Sequence, residues 1–151
     1  ARSKEGNPKT RGVIGHATSE NLKDWKVAPP LSKPDQGFGQ MEVFQYEIVD
    51  GVPILLFCCG WRELSEENVK RFGKIDATYS VVVGEKLADV DFTKALPFTQ
   101  QLIYAGRLIH GPDGTWYLMG FINEVDGKFV GQLCDPIAVT ADMQLGIIPK
   151  K

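Results

Sequence analysis

The sequence predicts an all-β protein with the fold of a partial β-propeller, comprising two complete four-stranded blades and two strands of a third. One plan, an apolar strand followed by a polar turn and further apolar residues, occurs at 12–28, at 77–94 and, more loosely, at 128–145. These copies are separated by two hairpins that turn at Asp50-Gly51 and Asp113-Gly114, a typical hairpin signal. Sets of strands that recur about every 50–65 residues are typical of propeller blades.

The chain is expected to open with the end of one blade, at residues 11–28. Residues 1–10 are polar and predict a loop or a frayed end. A strand at 11–18 and a short outer strand at 25–27 follow. The segment 28–40 is rich in proline and glycine and predicts a crossover loop.

The second blade is predicted over residues 41–95, with strands at 41–49, 53–59, 78–84 and 91–93. The β pattern breaks at 60–74. There Ser65 precedes two glutamates and an apolar pair, which predicts one or two helical turns near 65–72 with Ser65 as the N-cap.

The third blade is predicted over residues 102–141, with strands at 102–110, 115–121, 129–134 and 137–140. Residues 1–151 therefore form a single partial propeller domain. A closed propeller typically needs four to eight blades, so this chain does not close one alone. It is expected to be a piece of a longer protein or to associate. The alternative fold is a β-sandwich, which also has short strands with turn signals.

Composition narrows the class of protein. The 151 residues suffice for one domain with a core, and 16 glycines and 9 prolines suit a β protein rich in turns. A net charge of −2 without a basic block argues against nucleic acid as a partner. No apolar run reaches the roughly 20 residues of a membrane helix, so no membrane partner is expected.

The three cysteines are Cys58, Cys59 and Cys134. Adjacent residues on a strand point to opposite faces, so Cys58 and Cys59 are not expected to bond to each other. Free thiols favour a reducing, cytoplasmic compartment, although the sequence otherwise leaves the location open. The ligand spacing of a zinc site is absent, so neither a metal nor a cofactor is predicted.

Three segments resemble a known group of enzymes. They read RGVIGHATSENLKDW, FGQMEVFQYEIVDGVPILLFCCG and LIYAGRLIHGPDGTWYLMGFINEVDGKFVGQLCDPIAV. In this order they resemble the later blades of the five-bladed β-propeller glycoside hydrolases, in particular the β-fructosidase-like family 32 and its neighbours 43, 62 and 68. The resemblance covers about residues 11–141. It implies a carbohydrate ligand and action on fructosides or related glycosides.

The resemblance also implies a role for Glu42, an acid among apolar neighbours at the start of an inner strand. Such enzymes use an Asp nucleophile, an Asp that stabilises the transition state and a Glu acid/base, and Glu42 matches the last. The motif departs from the usual Glu-Cys-Pro, because Val43 and Phe44 follow Glu42. The nucleophile motif and the Arg-Asp-Pro motif are not in the chain and would lie upstream of residue 1. The chain alone is therefore expected to be inactive.

Six further residues are candidates for substrate binding, each with a plainer structural role as the alternative. Gln40 and Gln45 flank Glu42, and Arg107 and Tyr104 stand on the first strand of the last blade. Trp61 begins the irregular loop and could stack on a sugar, and Asp135 precedes Pro136 near the expected pocket; the full set is Gln40, Gln45, Trp61, Tyr104, Arg107 and Asp135. Glu47, five residues after Glu42, would point to the opposite face of an unbroken strand and is interpreted as solvated.

Two functional classes remain open from the sequence. One is a glycoside hydrolase completed by upstream blades, and the other is a non-catalytic carbohydrate-binding or scaffold propeller module. In either case the open blade edges invite pairing with the remainder of the parent chain or with a second copy, through the 11–18 side or the 129–140 side.

Overall fold

The structure is a computed structural model that describes residues 1–125 and 127–151. Within these residues, eleven strands form three antiparallel sheets, accompanied by one α-helix and three short 3-10 turns. The prediction of an all-β fold is confirmed.

The first sheet is a two-stranded ribbon of β1 (His16–Thr18) and β2 (Lys26–Ala28). The predicted strand at 11–18 is therefore shorter than expected. Residues 1–10 are not a frayed end, because Arg2 forms a β-bridge with Gly12. The backbone N–H of Val13 also donates to the carbonyl of Ala1 at 3.0 Å. Pairing between segments that are distant in sequence fixes this end of the chain, and local polarity does not predict it.

The second sheet is a complete four-stranded blade. Its strands pair in the order β3 (Glu42–Val49), β4 (Val52–Cys59), β5 (Ala77–Val82) and β6 (Leu96–Pro97). The helix α1 (Glu66–Phe72) lies between β4 and β5, and the Ser65 hydroxyl accepts a hydrogen bond from the Asn68 N–H, as predicted.

The outer strand of this blade was predicted at 91–93, and that prediction is wrong. A 3-10 turn occupies Phe92–Lys94 instead, and β6 follows it. The Asp91 carboxylate accepts from the Thr93 N–H, which caps the turn, and Phe92 is buried in the core. The local hydrogen bonds of Asp91 therefore compete successfully with strand pairing at this point.

The third sheet contains β7 (Tyr104–His110), β8 (Trp116–Val125), β9 (Lys128–Leu133), β10 (Ile137–Asp142) and β11 (Gly146–Pro149). The strand β8 is long enough to pair with two strands on one edge. Its first part pairs with β10 and its second part with β9.

This pairing corrects the predicted order of the third blade. The strand expected to be outermost, at 137–140, is third in the sheet, and β11 is the outer strand. The strand β11 lies beyond the strands predicted from the sequence. The Asp142 carboxylate accepts from the backbone N–H groups of Gln144 and Leu145, which forms the tight turn that leads into it.

The core lies on both faces of the second sheet. The strand β4 is buried on both sides, as its continuous apolar sequence suggests. One face packs on an aromatic cluster in which the Phe57 ring stacks on Tyr79 at 5.5 Å and meets the edge of Phe38 at 5.1 Å. The other face packs against the third sheet through Ile54, Leu56 and Leu118.

Three polar side chains of the second sheet join it to the third. The Thr78 hydroxyl accepts from the Gly106 N–H at 3.0 Å, and the Ser80 hydroxyl accepts from the Ile147 N–H at 2.9 Å. The Gln45 amide makes the third link. These bonds fix the register of one blade on the next, and they place the starts of β3 and β7 side by side.

The outer part of the third sheet remains uncovered. Phe129 is 78 % exposed, and Phe121, Val125 and Leu133 of the same hairpin are about half exposed. As to membranes, no helix in the described ranges is both long and apolar enough to span one.

Candidate functional site

The inner strands of the two complete sheets begin with the same irregularity. The pairing of β3 with β4 slips between Glu42 and Gln45, and the pairing of β7 with β8 slips between Tyr104 and Arg107. In each bulge the residue after the first adopts a positive φ, 54° at Val43 and 52° at Ala105. A φ of this sign is uncommon for a residue with a side chain and costs of order 1–3 kcal/mol.

The bulge changes which side chains share a face. Glu42 pairs with Cys58 and Glu47 pairs with Ile54, four residues apart on the regular strand β4. Glu42 and Glu47 therefore point to the same face of the sheet, so the prediction of opposite faces is wrong. Glu47 is half-buried rather than solvated, and its carboxylate accepts from the Gln45 amide at 3.1 Å.

The Glu42 carboxylate is half-buried, and both of its oxygens accept hydrogen bonds. The Gln40 Nε2 donates to Oε1 at 2.6 Å, and the Tyr104 hydroxyl donates to Oε2 at 3.0 Å. Tyr104 reaches this position because it stands at the start of β7 as Glu42 stands at the start of β3. Two of the predicted substrate-binding residues are thus held directly against the predicted acid/base.

Burial raises the pKa of the Tyr104 hydroxyl well above its ordinary value, and the hydrogen bond to Glu42 and its negative charge raise the pKa further. The Tyr104 hydroxyl therefore stays protonated at neutral pH and donates its hydrogen bond to Glu42. Burial likewise raises the pKa of the Cys58 thiol, which lies opposite Glu42 across β3 and β4. Cys58 is therefore a neutral neighbour of the carboxylate.

The Gln40 amide is itself held by the start of the chain. Its Oε1 accepts from Arg2 Nη2, and the same nitrogen of Arg2 forms an ion pair with Glu63 at 3.1 Å. A continuous set of polar contacts therefore runs from Glu63 through Arg2 and Gln40 to Glu42.

Gln45 and Arg107 bind backbone groups of the neighbouring sheet. The Gln45 Nε2 donates to the Leu108 carbonyl at 2.9 Å, and the Leu108 N–H donates to Gln45 Oε1 at 2.8 Å. Arg107 Nη1 donates to the Phe44 carbonyl at 3.0 Å. These two side chains occupy equivalent positions of the two bulges and tie the blades together there.

Trp61 lines a cavity of about 250 Å³ on the side of Tyr104. The Arg62 guanidinium lies 4.7 Å and the Lys74 ammonium 5.2 Å from the centroid of its ring. The backbone N–H of Trp61 donates to Asp76 Oδ1 at 2.7 Å, which fixes the start of the loop. The lining also includes Ile75, Leu102, Asn123 and Glu124. Aromatic, cationic, amide and carboxylate groups on one wall suit a ligand with many hydroxyls.

Asp135 lies apart from these residues. It is exposed and lies between β9 and β10. The strand β10 is the third of its sheet, whereas Glu42 and Tyr104 stand at the starts of the inner strands. Its proposed contact with substrate stays a prediction.

Sequence reasoning missed several residues of the site. Arg2 lies in the segment 1–10, which the sequence predicts as a loop or a frayed end, and no local pattern marks it because its partners lie far along the chain. Asn123 and Glu124 lie on the extension of β8 past Phe121, where the strand was predicted to end. In the described part of the chain, no group of three His, Cys, Asp or Glu side chains is placed to hold a metal ion.

The architecture defines the class of protein as an all-β, partial propeller. The fold is similar to that of levansucrase from Gluconacetobacter diazotrophicus, known from a crystal structure, with a TM-score of 0.56 and 18 % sequence identity. The similarity covers 93 % of this chain and 33 % of that chain, so this chain spans about one third of the length of levansucrase. At this identity the similarity shows the fold alone, and it confirms the propeller over the β-sandwich.

No protein-family model matches the sequence. A search of curated proteins also finds no match. The predicted resemblance to β-fructosidase-like propellers is supported by the similarity to levansucrase, at the level of the fold.

Proposed function

We propose that this chain is the C-terminal part of a glycoside hydrolase that acts on fructosides or related glycosides, with Glu42 as the general acid/base. The observation that carries the proposal is the half-buried Glu42 carboxylate. It stands at the start of an inner strand, with both oxygens held and with Tyr104 linking it to a polar and aromatic cavity. The similarity in fold to levansucrase supports the propeller architecture that this proposal requires.

The chemistry assigned to Glu42 is proton transfer at the glycosidic oxygen. A general acid protonates the leaving oxygen as the bond to the anomeric carbon breaks, and the resulting carboxylate then accepts a proton from water. A carboxylate held in place on a strand suits proton transfer, because its oxygens stay oriented toward the same point.

Glycoside hydrolysis requires a second carboxylate on the other side of the bond. The two groups held against Glu42 are an amide and a phenol, neither of which is a carboxylate. As the resemblance implies, we assign the nucleophile to another part of the complete enzyme. Gln45, Trp61, Arg107 and Asp135 stay candidates for sugar contacts, with Trp61 the best supported because it lines the cavity.

The proposal is tested by comparing Glu42→Gln with Glu47→Gln in the complete enzyme. Both substitutions exchange a carboxylate for an amide on the same strand, so they control for effects on folding. We expect Glu42→Gln to lower turnover of an unactivated fructoside by about 10²–10⁴-fold with little change in binding. Glu47→Gln should retain most activity. Equal activities of the two variants would contradict the proposal.

A second candidate is a non-catalytic carbohydrate-binding propeller module. The observation that favours it is that Glu42 is not among the residues that line the Trp61 cavity. In this case a fructoside would bind at the Trp61 cavity, and Glu42→Gln would not alter any turnover. Isothermal titration with Trp61→Ala and Trp25→Ala separates binding at this cavity from binding elsewhere, because Trp25 is an exposed tryptophan just before β2.

We further propose that the uncovered face of β8 and β9 is covered by other β structure, either the remainder of a longer chain or a second copy. Phe121 and Leu133, which pair across β8 and β9 and are each about half exposed, support the proposal, because an apolar sheet face of this kind is normally buried against a neighbouring blade. Sedimentation of the isolated chain is expected to show self-association at micromolar concentration. A stable monomer of 16.7 kDa would contradict it.

A further inference from the structure

Tyr104 and Gln40 both contact the Glu42 carboxylate. Sequence reasoning placed both as candidate sugar contacts. Their polar atoms instead meet the two oxygens of Glu42, Gln40 on Oε1 and Tyr104 on Oε2. A carboxylate held at both oxygens by groups from two directions has little freedom to rotate.

The equivalence of the two bulges explains how Tyr104 reaches the carboxylate. Tyr104 and Glu42 each precede a residue of positive φ, and each is the first paired residue of its inner strand. The position that carries the acid in one blade thus carries a hydroxyl directed at that acid in the next blade. Two strained residues next to the same pair indicate that the surrounding structure holds this geometry in place.

Hydrogen bonds and an ion pair with other parts of the fold hold the segments that carry Tyr104, Glu42 and Gln40. Gly106, two residues after Tyr104, donates to the buried Thr78 hydroxyl at 3.0 Å, which fixes the second bulge on β5. Behind Glu42, the Cys58 thiol lies 3.5 Å from the same hydroxyl. Gln40 is held by Arg2, which is paired with Glu63. Each group that touches Glu42 is therefore fixed by a separate part of the fold.

On this geometry we infer that Tyr104 and Gln40 are positioning residues that aim the Glu42 carboxylate, and that substrate does not take up their hydrogen-bonding groups. The inference rests on the proposed function of Glu42 as the general acid/base. It also implies that the acid becomes competent only when the third sheet is docked on the second, because Tyr104 belongs to the third.

The first test separates aiming from substrate contact by kinetics in the complete enzyme. Tyr104→Phe keeps the ring and removes the hydroxyl. We expect kcat to fall roughly ten- to hundredfold, because a misaimed catalytic group loses rate on this scale, while KM stays within about twofold. Gln40→Leu is expected to show the same pattern. A raised KM with unchanged kcat would overturn the inference, since it would identify a substrate contact.

Tyr117→Phe is the matched control. Its hydroxyl also donates to a carboxylate, Asp113 Oδ2 at 2.9 Å, but at the tip of the second hairpin. It should retain wild-type kcat. A fall in kcat equal to that of Tyr104→Phe would show a general loss of stability and would overturn the inference.

The second test needs no activity. Tyrosine labelled with ¹³C at Cζ reports the hydrogen bonding of the Tyr104 hydroxyl by NMR at neutral pH, and Tyr104→Phe assigns the signal. Because this hydroxyl donates to the Glu42 carboxylate at 3.0 Å, Glu42→Gln should change the chemical shift of Tyr104 Cζ. An unchanged chemical shift would overturn the contact itself. If Glu42→Gln retains full turnover while the chemical shift changes, the proposed function fails and the contact stands. If Glu42→Gln is inactive and Tyr104→Phe keeps wild-type kcat, the inference alone fails.

Discussion

Replacing Gly106 by Ala tests whether the close joint between the two blades holds the site together. A Cβ at position 106 would lie 2.6 Å from Thr78 Oγ1 and 2.7 Å from Thr78 Cγ2. Thr78 is 1 % exposed, and its hydroxyl also donates to the Ile103 carbonyl at 3.0 Å. Rotation of Thr78 therefore exchanges one overlap for another and breaks buried hydrogen bonds.

The magnitude follows from two contributions. Overpacking of a closed joint costs about 1–3 kcal/mol, and loss of the Gly106 N–H bond to Thr78 adds about 1 kcal/mol. We expect the free energy of unfolding to fall by roughly 2–4 kcal/mol. For a chain of this size this corresponds to a drop in Tm of about 4–16 °C.

Urea unfolding and thermal melts of Gly106→Ala measure this effect, and Gly84→Ala is the matched control. Gly84 is exposed, and the nearest atom to its added Cβ is Asp89 Cβ at 3.8 Å. Its stability should stay within about 0.5 kcal/mol of the wild type. In the double variant Gly106→Ala/Thr78→Ala the added methyl finds space, so the two losses should not add. Additive losses, or a Gly106→Ala variant as stable as Gly84→Ala, would refute the reasoning.

Two further predictions concern the buried groups around the site. Gln45→Leu leaves the Leu108 N–H and carbonyl without their amide partner, so the free energy of unfolding should fall by about 1–3 kcal/mol in urea; no change would mean that the amide link contributes nothing. Burial raises the pKa of the Cys58 and Cys59 thiols. Above about pH 8.5, the ordinary pKa of a thiol, the unfolded chain releases thiol protons that the folded chain keeps. The contribution of these thiols to the free energy of unfolding is therefore complete below this pH and is lost as the pH rises above it. Unfolding should therefore become easier from about pH 9 upward, and less so in Cys59→Ala; identical alkaline profiles would contradict this.

Features set by local sequence were predictable. Asp50-Gly51 gave the first hairpin turn, and both residues adopt the positive φ that such a turn requires, 50° and 83°. Ser65 gave the N-cap of α1. The continuous apolar sequence of β4 indicated a strand within the core.

Features set by pairing across the chain were not predictable. The bulges at Val43 and Ala105 follow from docking one blade on the next, because nothing in the propensities of these residues favours a positive φ. Without the bulge at Val43, Glu47 was assigned to the wrong face. Likewise β10 pairs directly with β8, on the same edge as β9, and its other edge pairs with β11. A count of apolar segments does not reveal this branching of the sheet.

In the candidate site, too, the features set by local sequence were predictable and those set by packing were not. Glu42 could be singled out because an acid among apolar neighbours at a strand start is unusual, and the resemblance gave it a role. The residues around it could be named as polar or aromatic, but their tasks could not be assigned. Whether Gln45 meets a sugar or the backbone of Leu108 depends on the distance between two sheets, which is a property of the packing.

The central claim, that Glu42 donates the proton to the leaving group, is tested most directly by the dependence of rate on the leaving group. Wild type and Glu42→Gln of the complete enzyme are compared on a natural fructoside and on a fructoside with an activated leaving group that needs no proton. We expect Glu42→Gln to lose about 10²-fold or more on the natural substrate and to retain much of its rate on the activated one. Equal losses on both substrates, or wild-type turnover of the natural fructoside, would contradict the account.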